Sequence, residues 1–269
     1  MPNTTIPNEY IDRDISWLDF NYRVLQEAKD NNVPLMERIK FLAIYSSNLG
    51  EFFRIRVAHH RNIKRLGKKT KSELDYDPNR LLKKLYKIAN DQLKEFNNIF
   101  DEQIIPQLKK ENIFILSHRE LNKEQEIFLD DYFKENLLPY VQPVLLVEKR
   151  IKPFLNNSEL YLTIILKPKD QVDSATQYGI VKIPSDHLSR FIEIPSEPNH
   201  HNIILLDEIV RYSLKWLFPG YTIIHSYSIK VTRDAELYIE DEFSGDLMAK
   251  IKKSLSKRNI GPASRLVYD

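Results

Sequence analysis

The sequence contains no cysteine among its 269 residues, and this absence excludes two kinds of site. Without thiols the chain cannot build a disulfide framework or bind a metal through thiolate ligands. Only six glycines are present, which argues against a glycine-rich phosphate loop of the Walker or dinucleotide type. Apolar runs near eighteen residues are also missing, so the sequence predicts neither a membrane span nor a secretory signal, and we expect a cytoplasmic protein.

The sequence also lacks a large excess of either positive or negative charge. The 40 lysines and arginines are nearly balanced by 38 acidic residues, so any anion site must come from local clustering. A hydrophobic content of 42% is sufficient for the core of one large or two ordinary domains. The seven histidines form no HExxH pattern, and no set of serine, histidine and acid stands out. The pattern alone therefore assigns no catalytic group and no metal ligand.

The first 112 residues are predicted to form an all-helical bundle, because no segment there alternates with a period of two. Ser16, with Asp19 three residues later, fits the N-cap of a first helix over residues 17–29. A fourth helix is predicted to start at Asp77 as cap and to continue to Lys110.

A short polar turn is predicted at residues 46–53, where a second helix that starts at Pro34 ends and a third begins. The apolar stripe of the third helix is predicted to contain Phe52, Ile55, His59, Ile63 and Leu66. Basic residues are predicted on the opposite side, at Arg54, Arg61, Arg65 and Lys68. His59 is then interpreted as a hydrogen-bonded core residue.

The segment 54–71 contains eight lysines or arginines and no acid. Two interpretations remain open: a solvated face of an amphipathic helix, or a surface for phosphate, polyphosphate or nucleic acid. Aromatic residues are not interleaved with the basic ones, which argues against single-stranded nucleic acid.

The second part of the chain is predicted to mix strands and helices, because prolines separate short apolar runs. Strands are predicted at residues 113–116, 144–147, 160–166, 178–183, 191–194, 203–206, 221–232 and 264–268. Helices are predicted at residues 123–136, 207–216 and 241–257, the first capped by Asn122. The charged residues 233–236 are interpreted as a local salt bridge at a strand end in preference to a substrate site.

Several long motifs resemble the class 1 polyphosphate kinases. The first is DISWLDFNYRVLQEA at residues 14–28, and the second is PLMERIKFLAIYSSNL at residues 34–49. The similarity continues at residues 51–53, 56–58, 183–185, 211–212, 227–236 and 261–266. It covers essentially the whole chain.

The resemblance implies an α+β chain with a helical N-terminal domain at residues 1–112 and a mixed α/β head domain at residues 113–269. It also implies an enzyme that moves the terminal phosphoryl group of ATP onto polyphosphate through a phosphohistidine. In that family the phosphorylated histidine and the magnesium site lie in two further C-terminal domains. This chain is therefore interpreted as an N-terminal portion without catalytic residues, metal ligands or kinase activity of its own, and as a homodimer through its head domain with no DNA partner.

One binding residue is carried over from the family. Asn48 matches an asparagine that contacts the adenine of ATP, and an amide suits this role because it offers a donor and an acceptor together. Gly50 departs from the family pattern, which usually has aspartate there to cap the third helix or orient the asparagine. Arg56 also matches a family position, either as an interdomain salt-bridge partner or as a phosphate ligand. The alternative function is a stand-alone polyanion-binding or scaffold module for polyphosphate or RNA.

Overall fold

A computed structural model describes residues 11–65, 76–146, 155–169, 175–234 and 261–269. The chain divides into two compact units, Met1–Ile104 and Ile105–Asp269. The first unit is helical where it is described, and the second combines two β-sheets with helices, so the predicted α+β class is confirmed. The boundary that the sequence places after residue 112 stays a prediction. None of the described helices is both long and apolar enough to cross a bilayer.

Helix α1, Arg13–Lys29, starts one turn earlier than the sequence predicts. Its N-cap is Asp12, whose Oδ1 accepts hydrogen bonds from the backbone amides of Asp14 at 2.9 Å and Ile15 at 3.1 Å. A carboxylate satisfies these amides and also interacts favourably with the positive end of the helix dipole. The prediction of Ser16 as the cap is therefore wrong, because Ser16 lies within the first turn of the helix.

The predicted turn at residues 46–53 is also wrong. Helix α2, Leu35–Phe52, runs through it and continues without a break into a π-helical segment, Phe53–Val57, and then into helix α3, Ala58–Arg65. Tyr45, Leu49 and Phe52 are buried, so the apolar helical period persists through the polar stretch.

The π-helical segment changes which side of α3 is buried. Phe53, Val57 and His60 are buried, whereas Ile55 and His59 are exposed. A wider turn holds one more residue than an α-helical turn, which rotates the following residues around the axis. The core position predicted for His59 is therefore wrong, as is the place of Ile55 in the predicted apolar stripe, whereas Phe52 is buried as expected. Leu66 and Lys68 of the same prediction lie outside the described residues.

A buried arginine joins the C-terminal end of α1 to the rest of the first unit. Arg38 Nε donates to the carbonyl oxygen of Ala28 at 2.7 Å, and its two terminal nitrogens donate to Asn31 Oδ1 at 3.0 Å and Gln103 Oε1 at 2.6 Å. The rigid fork of the guanidinium thus satisfies an otherwise orphaned helix carbonyl.

Helix α4, Pro78–Ile99, has Asp77 as its N-cap, as predicted. A second π-helical segment, Phe100–Ile104, and helix α5, Ile105–Lys110, continue it to the predicted end. Gln92 of α4 donates to the carbonyl oxygen of Leu18 at 3.2 Å and accepts from the hydroxyl of Tyr45 at 3.2 Å. This side chain therefore links α4 to both α1 and α2.

The second unit contains two sheets. Its strands are β1 Ile113–Leu116, β2 Pro143–Leu146, β3 Leu160–Pro168, β4 Gln177–Lys182, β5 Phe191–Ile194, β6 His201–Leu205, β7 Tyr221–Arg233 and β8 Ala263–Tyr268. The smaller sheet has the order β1-β6-β5, with β1 parallel to β6 and β5 antiparallel to it. The larger sheet is antiparallel, with the order β2-β4-β3-β7-β8. Every predicted strand is present, with ends that differ by at most two residues.

Helix α6, Lys123–Tyr132, begins with the predicted Asn122 cap, which forms a reciprocal capping box with Gln125. A π-helical segment, Phe133–Leu137, and a short 3₁₀ turn, Leu138–Tyr140, follow it. The helix predicted at residues 207–216 is instead two, α7 Leu206–Tyr212 and α8 Leu214–Leu217. They separate at Ser213, whose hydroxyl donates to the carbonyl oxygen of Ile209 at 2.9 Å and so competes with the helix backbone. The predicted helix at residues 241–257 lies outside the described residues.

The end of β7 is held by hydrogen bonds to backbone carbonyls. Arg233 Nε donates to the carbonyl oxygen of Leu155 and Nη1 to that of Gly261, each at 2.8 Å. A Cβ at Gly261 would lie 2.4 Å from the carbonyl oxygen of Asp234, so only glycine fits there. Arg233 therefore fixes the approach of β8 to β7, while residues 235 and 236 of the predicted charged corner lie outside the described residues.

Candidate functional site

Helices α1 and α2 pack antiparallel, and polar and aromatic side chains meet along one line between them. As residue numbers rise along α2 and into α3, their partners on α1 fall: Asn48 meets Asn21, Phe52 stacks on Trp17, and His60 meets Asp14. The partners on α1 recur at helical spacing, at positions 14, 17 and 21, so they share one face. We refer to Asp14, Trp17, Asn21, Asn48, Phe52, Arg56 and His60 as the interhelical strip.

At one end of the strip, the amide of Asn48 is oriented by a buried neighbour. Asn48 Nδ2 donates to Asn21 Oδ1 at 3.0 Å, and Asn21 Nδ2 donates to the carbonyl oxygen of Tyr45 at 3.2 Å. Asn21 is fully buried and Asn48 partly exposed. Among the described residues, no hydrogen bond engages Asn48 Oδ1, so this oxygen can accept one from a ligand.

An aromatic pair lies one turn further along α2. The rings of Trp17 and Phe52 stack with centroids 4.7 Å apart and an angle of 12° between their planes. Phe52 is buried, whereas Trp17 remains partly exposed. Stacking fixes the indole, so Trp17 provides a rigid apolar surface close to the asparagine pair.

A buried acid and histidine form the other end of the strip. His60 Nε2 and Asp14 Oδ2 are 2.6 Å apart, and His60 Nδ1 is 3.1 Å from the hydroxyl of Tyr76. The hydrogen bond from His60 is the main cause that lowers the pKa of Asp14, and the charges of Arg13 and Arg56 act in the same direction. Burial beside the two acids Asp14 and Asp12 raises the pKa of Tyr76. Asp14 is therefore an anion at neutral pH, held in place from α3.

The asparagine end of the strip combines two kinds of group that suit ligand recognition. An amide with a free carbonyl oxygen next to a fixed aromatic ring suits the edge and face of a nucleobase. Among the described residues no group of three histidine or acidic side chains is placed to hold a metal ion.

The structure places Asn48, Gly50 and Arg56 on one continuous run of helical turns. Asn48 lies in the middle of α2, and not at a turn or a helix end. Gly50 is also inside α2, and a Cβ there would meet nothing within 4 Å. An aspartate at this position could not cap a third helix, because no helix begins there. Arg56 Nε lies 3.8 Å from Asp14 Oδ1 within the first unit, so its described contact is a local ion pair.

Sequence reasoning missed the partners that orient these residues. Asn21, Trp17 and Asp14 lie within the motif at residues 14–28, but no role was assigned to any of them. Their spacing along one face of a helix, next to the apolar stripe, was the available signal. His60 could not be found in this way, because the π-helical segment changes the helix register before it.

Two family models match the chain. The model described as "Polyphosphate kinase N-terminal domain" matches residues 10–116, and the one described as "Polyphosphate kinase middle domain" matches residues 124–269. Together they include both compact units and the whole interhelical strip.

Curated relatives named polyphosphate kinase match nearly all of this chain. The protein from Bacillus cereus is 39% identical over 260 residues, which is 96% of this chain and 37% of the relative. The one from Vibrio parahaemolyticus is 35% identical, over 97% of this chain and 37% of the relative. The crystal structure of polyphosphate kinase from Porphyromonas gingivalis superposes with a TM-score of 0.75 at 32% identity, over 93% of this chain and 38% of that one. The chain therefore spans less than two fifths of the length of these relatives.

Proposed function

The chain belongs to the polyphosphate kinase family, and we propose that it covers the adenine base of ATP in such an enzyme. In this proposal Asn48 reads the edge of the base. The observation that carries it is the amide of Asn48, oriented by the buried Asn21 and left with an open carbonyl oxygen.

The chemistry of Asn48 favours adenine over guanine. Its Oδ1 can accept a hydrogen bond from the exocyclic amino group of adenine, and the second hydrogen of Nδ2 can be donated to a neighbouring ring nitrogen. Guanine has a carbonyl oxygen where adenine has that amino group, so two acceptors would then face each other. Trp17 offers an apolar surface beside this amide.

The reaction proposed for the whole protein is transfer of the terminal phosphoryl group of ATP to polyphosphate through a phosphohistidine. A histidine nitrogen divides a transfer between two anions into two easier steps. The two matched domains of this chain contribute base binding and support, and the phosphorylated histidine lies in a domain outside them. We therefore expect no synthesis of polyphosphate from ATP by the chain alone, and detection of such synthesis would contradict the proposal.

Fluorescence of Trp17 can test the binding role directly. Replacing Trp216, the other tryptophan, by phenylalanine leaves Trp17 as the only indole that reports on a ligand. We expect ATP to change this signal, and GTP to bind at least about tenfold more weakly, which corresponds to about 1.4 kcal/mol. Asn48→Ala is expected to remove the preference for ATP.

Ser47→Ala is the matched control, because Ser47 is exposed and precedes Asn48 on α2. This variant should bind ATP like the parent chain. Equal affinity of the parent and Asn48→Ala for ATP, or an unchanged signal at millimolar ATP, would overturn the role of Asn48.

A homodimer through the second unit is part of the same proposal. Strand β8 lies at an edge of the five-stranded sheet, and its Leu266 and Tyr268 are 57% and 72% exposed. An exposed apolar edge strand is suited to pairing with a second copy. Light scattering should show a dimer that Leu266→Glu weakens, and a monomer over a wide concentration range would contradict it.

The alternative of a stand-alone scaffold for polyphosphate or RNA receives less support, because matches to the enzyme family extend over both units. Two of the basic residues that motivated it, Arg61 and Lys64, nevertheless line a cavity together with Lys83.

A further inference from the structure

A basic cavity lies between helices α3 and α4, apart from the interhelical strip. It has a volume of about 550 Å³, within the range of roughly 300–1,000 Å³ that is usual for ligand sites. Its described lining residues are Arg61, Lys64, Asn79, Leu82, Lys83 and Tyr86. Three of these six side chains are cations and none is an acid.

Two of the cations form no ion pair within the described part of the chain. Lys64 on α3 and Lys83 on α4 are exposed, and neither has a carboxylate partner among the described residues. Some lysines elsewhere on the same unit do have one, as Lys29 pairs with Glu95 at 2.8 Å and Lys40 with Glu37 at 2.6 Å. Like charges on two facing helices repel unless an anion lies between them. The cavity therefore has two available positive charges on opposite walls.

The other lining residues favour an anion of oxygen atoms over a nucleobase. Asn79 can donate from its amide, although its Nδ2 also lies 3.4 Å from Asp77 Oδ1. Tyr86 packs against Phe53, with ring centroids 6.1 Å apart, and Leu82 is buried beneath. Tyr86 is the one aromatic ring in the described lining, so a base could not stack between two rings there.

We propose that this cavity binds a linear condensed phosphate, with Lys64 and Lys83 holding phosphate groups from opposite walls and Arg61 contributing a third positive charge. Lysine binds phosphate as a compact point charge, and a chain of phosphates presents one negative charge per unit along its length. Several linked phosphate groups interact with cations on two helices more favourably than one phosphate does, because they bring more negative charge. The cavity would be a second contact for the polymer, independent of base binding at Asn48.

The test measures binding of inorganic tripolyphosphate and medium-chain polyphosphate to the whole chain by calorimetry, at about 50 and about 200 mM salt. The variant Lys64→Gln/Lys83→Gln removes both unpaired charges. We expect it to bind tripolyphosphate at least about tenfold more weakly, since the charge-assisted hydrogen bonds from both walls are lost.

The matched control is Lys84→Gln/Lys87→Gln. Both lysines are exposed on α4 and neither lines the cavity, so the net charge changes equally. This variant should retain affinity within about twofold, and thermal melts should show that both variants fold. Equal losses in the two variants would overturn the site, because they would show attraction by net charge alone.

Competition between polyphosphate and RNA shows which kind of phosphate polymer the cavity prefers. A single-stranded RNA of matched charge that binds as tightly as polyphosphate and competes with it would overturn the proposal, as would absence of tripolyphosphate binding at low salt. Asn48→Ala should leave tripolyphosphate binding unchanged while it reduces the preference for ATP. A failure of base recognition is therefore distinguishable from a failure of this cavity.

Discussion

Asn48 Nδ2 donates a 3.0 Å hydrogen bond to Asn21 Oδ1, and the two side chains join α2 to α1 where a turn was expected. The bond depends on a buried donor and acceptor pair, because Asn21 also donates to the carbonyl oxygen of Tyr45. Asn48, which is proposed to bind the base, is thus oriented by Asn21, which is buried and need not contact a ligand.

Asn21→Ala should therefore affect stability and nucleotide binding together. Removal of the buried amide deletes two hydrogen bonds, the one that Asn21 donates to the carbonyl oxygen of Tyr45 and the one that it accepts from Asn48, so we expect the free energy of unfolding to fall by about 1–3 kcal/mol. Loss of orientation at Asn48 should weaken ATP binding in the same variant. Urea titration and Trp17 fluorescence measure the two effects. Asn90→Ala, at an exposed position of α4, should change neither. An Asn21→Ala chain as stable as the parent would contradict the structural role.

Asp14→Asn should change how stability depends on pH. The hydrogen bond from His60 lowers the pKa of Asp14 below its usual value of 3.8. Because the pKa of Asp14 is lower in the folded chain than in the unfolded chain, its ionised form stabilises the fold at pH values above the unfolded-state pKa. This stabilisation is lost as the pH falls through the folded-state pKa. The parent should therefore be more stable than Asp14→Asn near neutral pH, and the difference should shrink as pH falls through the usual value of 3.8 and below it.

Urea midpoints over this range provide the measurement. Asp19→Asn serves as control, because Asp19 is exposed on the same helix. A difference between parent and Asp14→Asn that stays constant down to the acid limit would show that the ionised form of Asp14 is not the stabilising one.

Gly50→Ala should stabilise the first unit. Gly50 lies inside α2, and a Cβ there meets no atom within 4 Å. Alanine in a helix interior is favoured over glycine by about 0.5–1 kcal/mol, mainly because glycine loses more backbone entropy on folding. A melting temperature that falls on substitution would show that the chain is not helical at this position. Gly261→Ala provides a contrast and should destabilise, since its Cβ would clash with the backbone of Asp234.

Arg211→Lys should weaken the second unit, although the charge is retained. Arg211 Nη1 donates to the carbonyl oxygen of Ser226 at 2.6 Å, Nη2 to Ser228 Oγ at 2.9 Å, and Nε lies 3.0 Å from Glu208 Oε1. One ammonium group cannot reach these three positions from α7 at once. We expect the free energy of unfolding to fall by about 1–3 kcal/mol in denaturant titrations. Lys215→Arg, on the neighbouring helix α8, should have little effect, and equal stability of Arg211→Lys and the parent would contradict the prediction.

Local chemistry of the sequence determined much of the fold. Asp77 and Asn122 were recognised as caps because a short polar side chain before a helical period has few other roles. The strands of the second unit were recognised from apolar runs between prolines, since proline interrupts a helix but not the end of a strand. The long motifs also indicated the family, which the matches to known proteins confirm.

Only the tertiary structure decided how the interhelical strip is built. The polar residues 46–48 have the composition of a turn, but burial of Tyr45, Leu49 and Phe52 against neighbouring helices stabilises a continuous helix more than local propensity favours a break. The π-helical segment then rotates the following residues, so that His60 is buried and His59 is exposed. Asn21, like His60, gains its role from a partner distant in sequence. Pairing over such distances depends on packing, which sequence periodicity along one element does not specify.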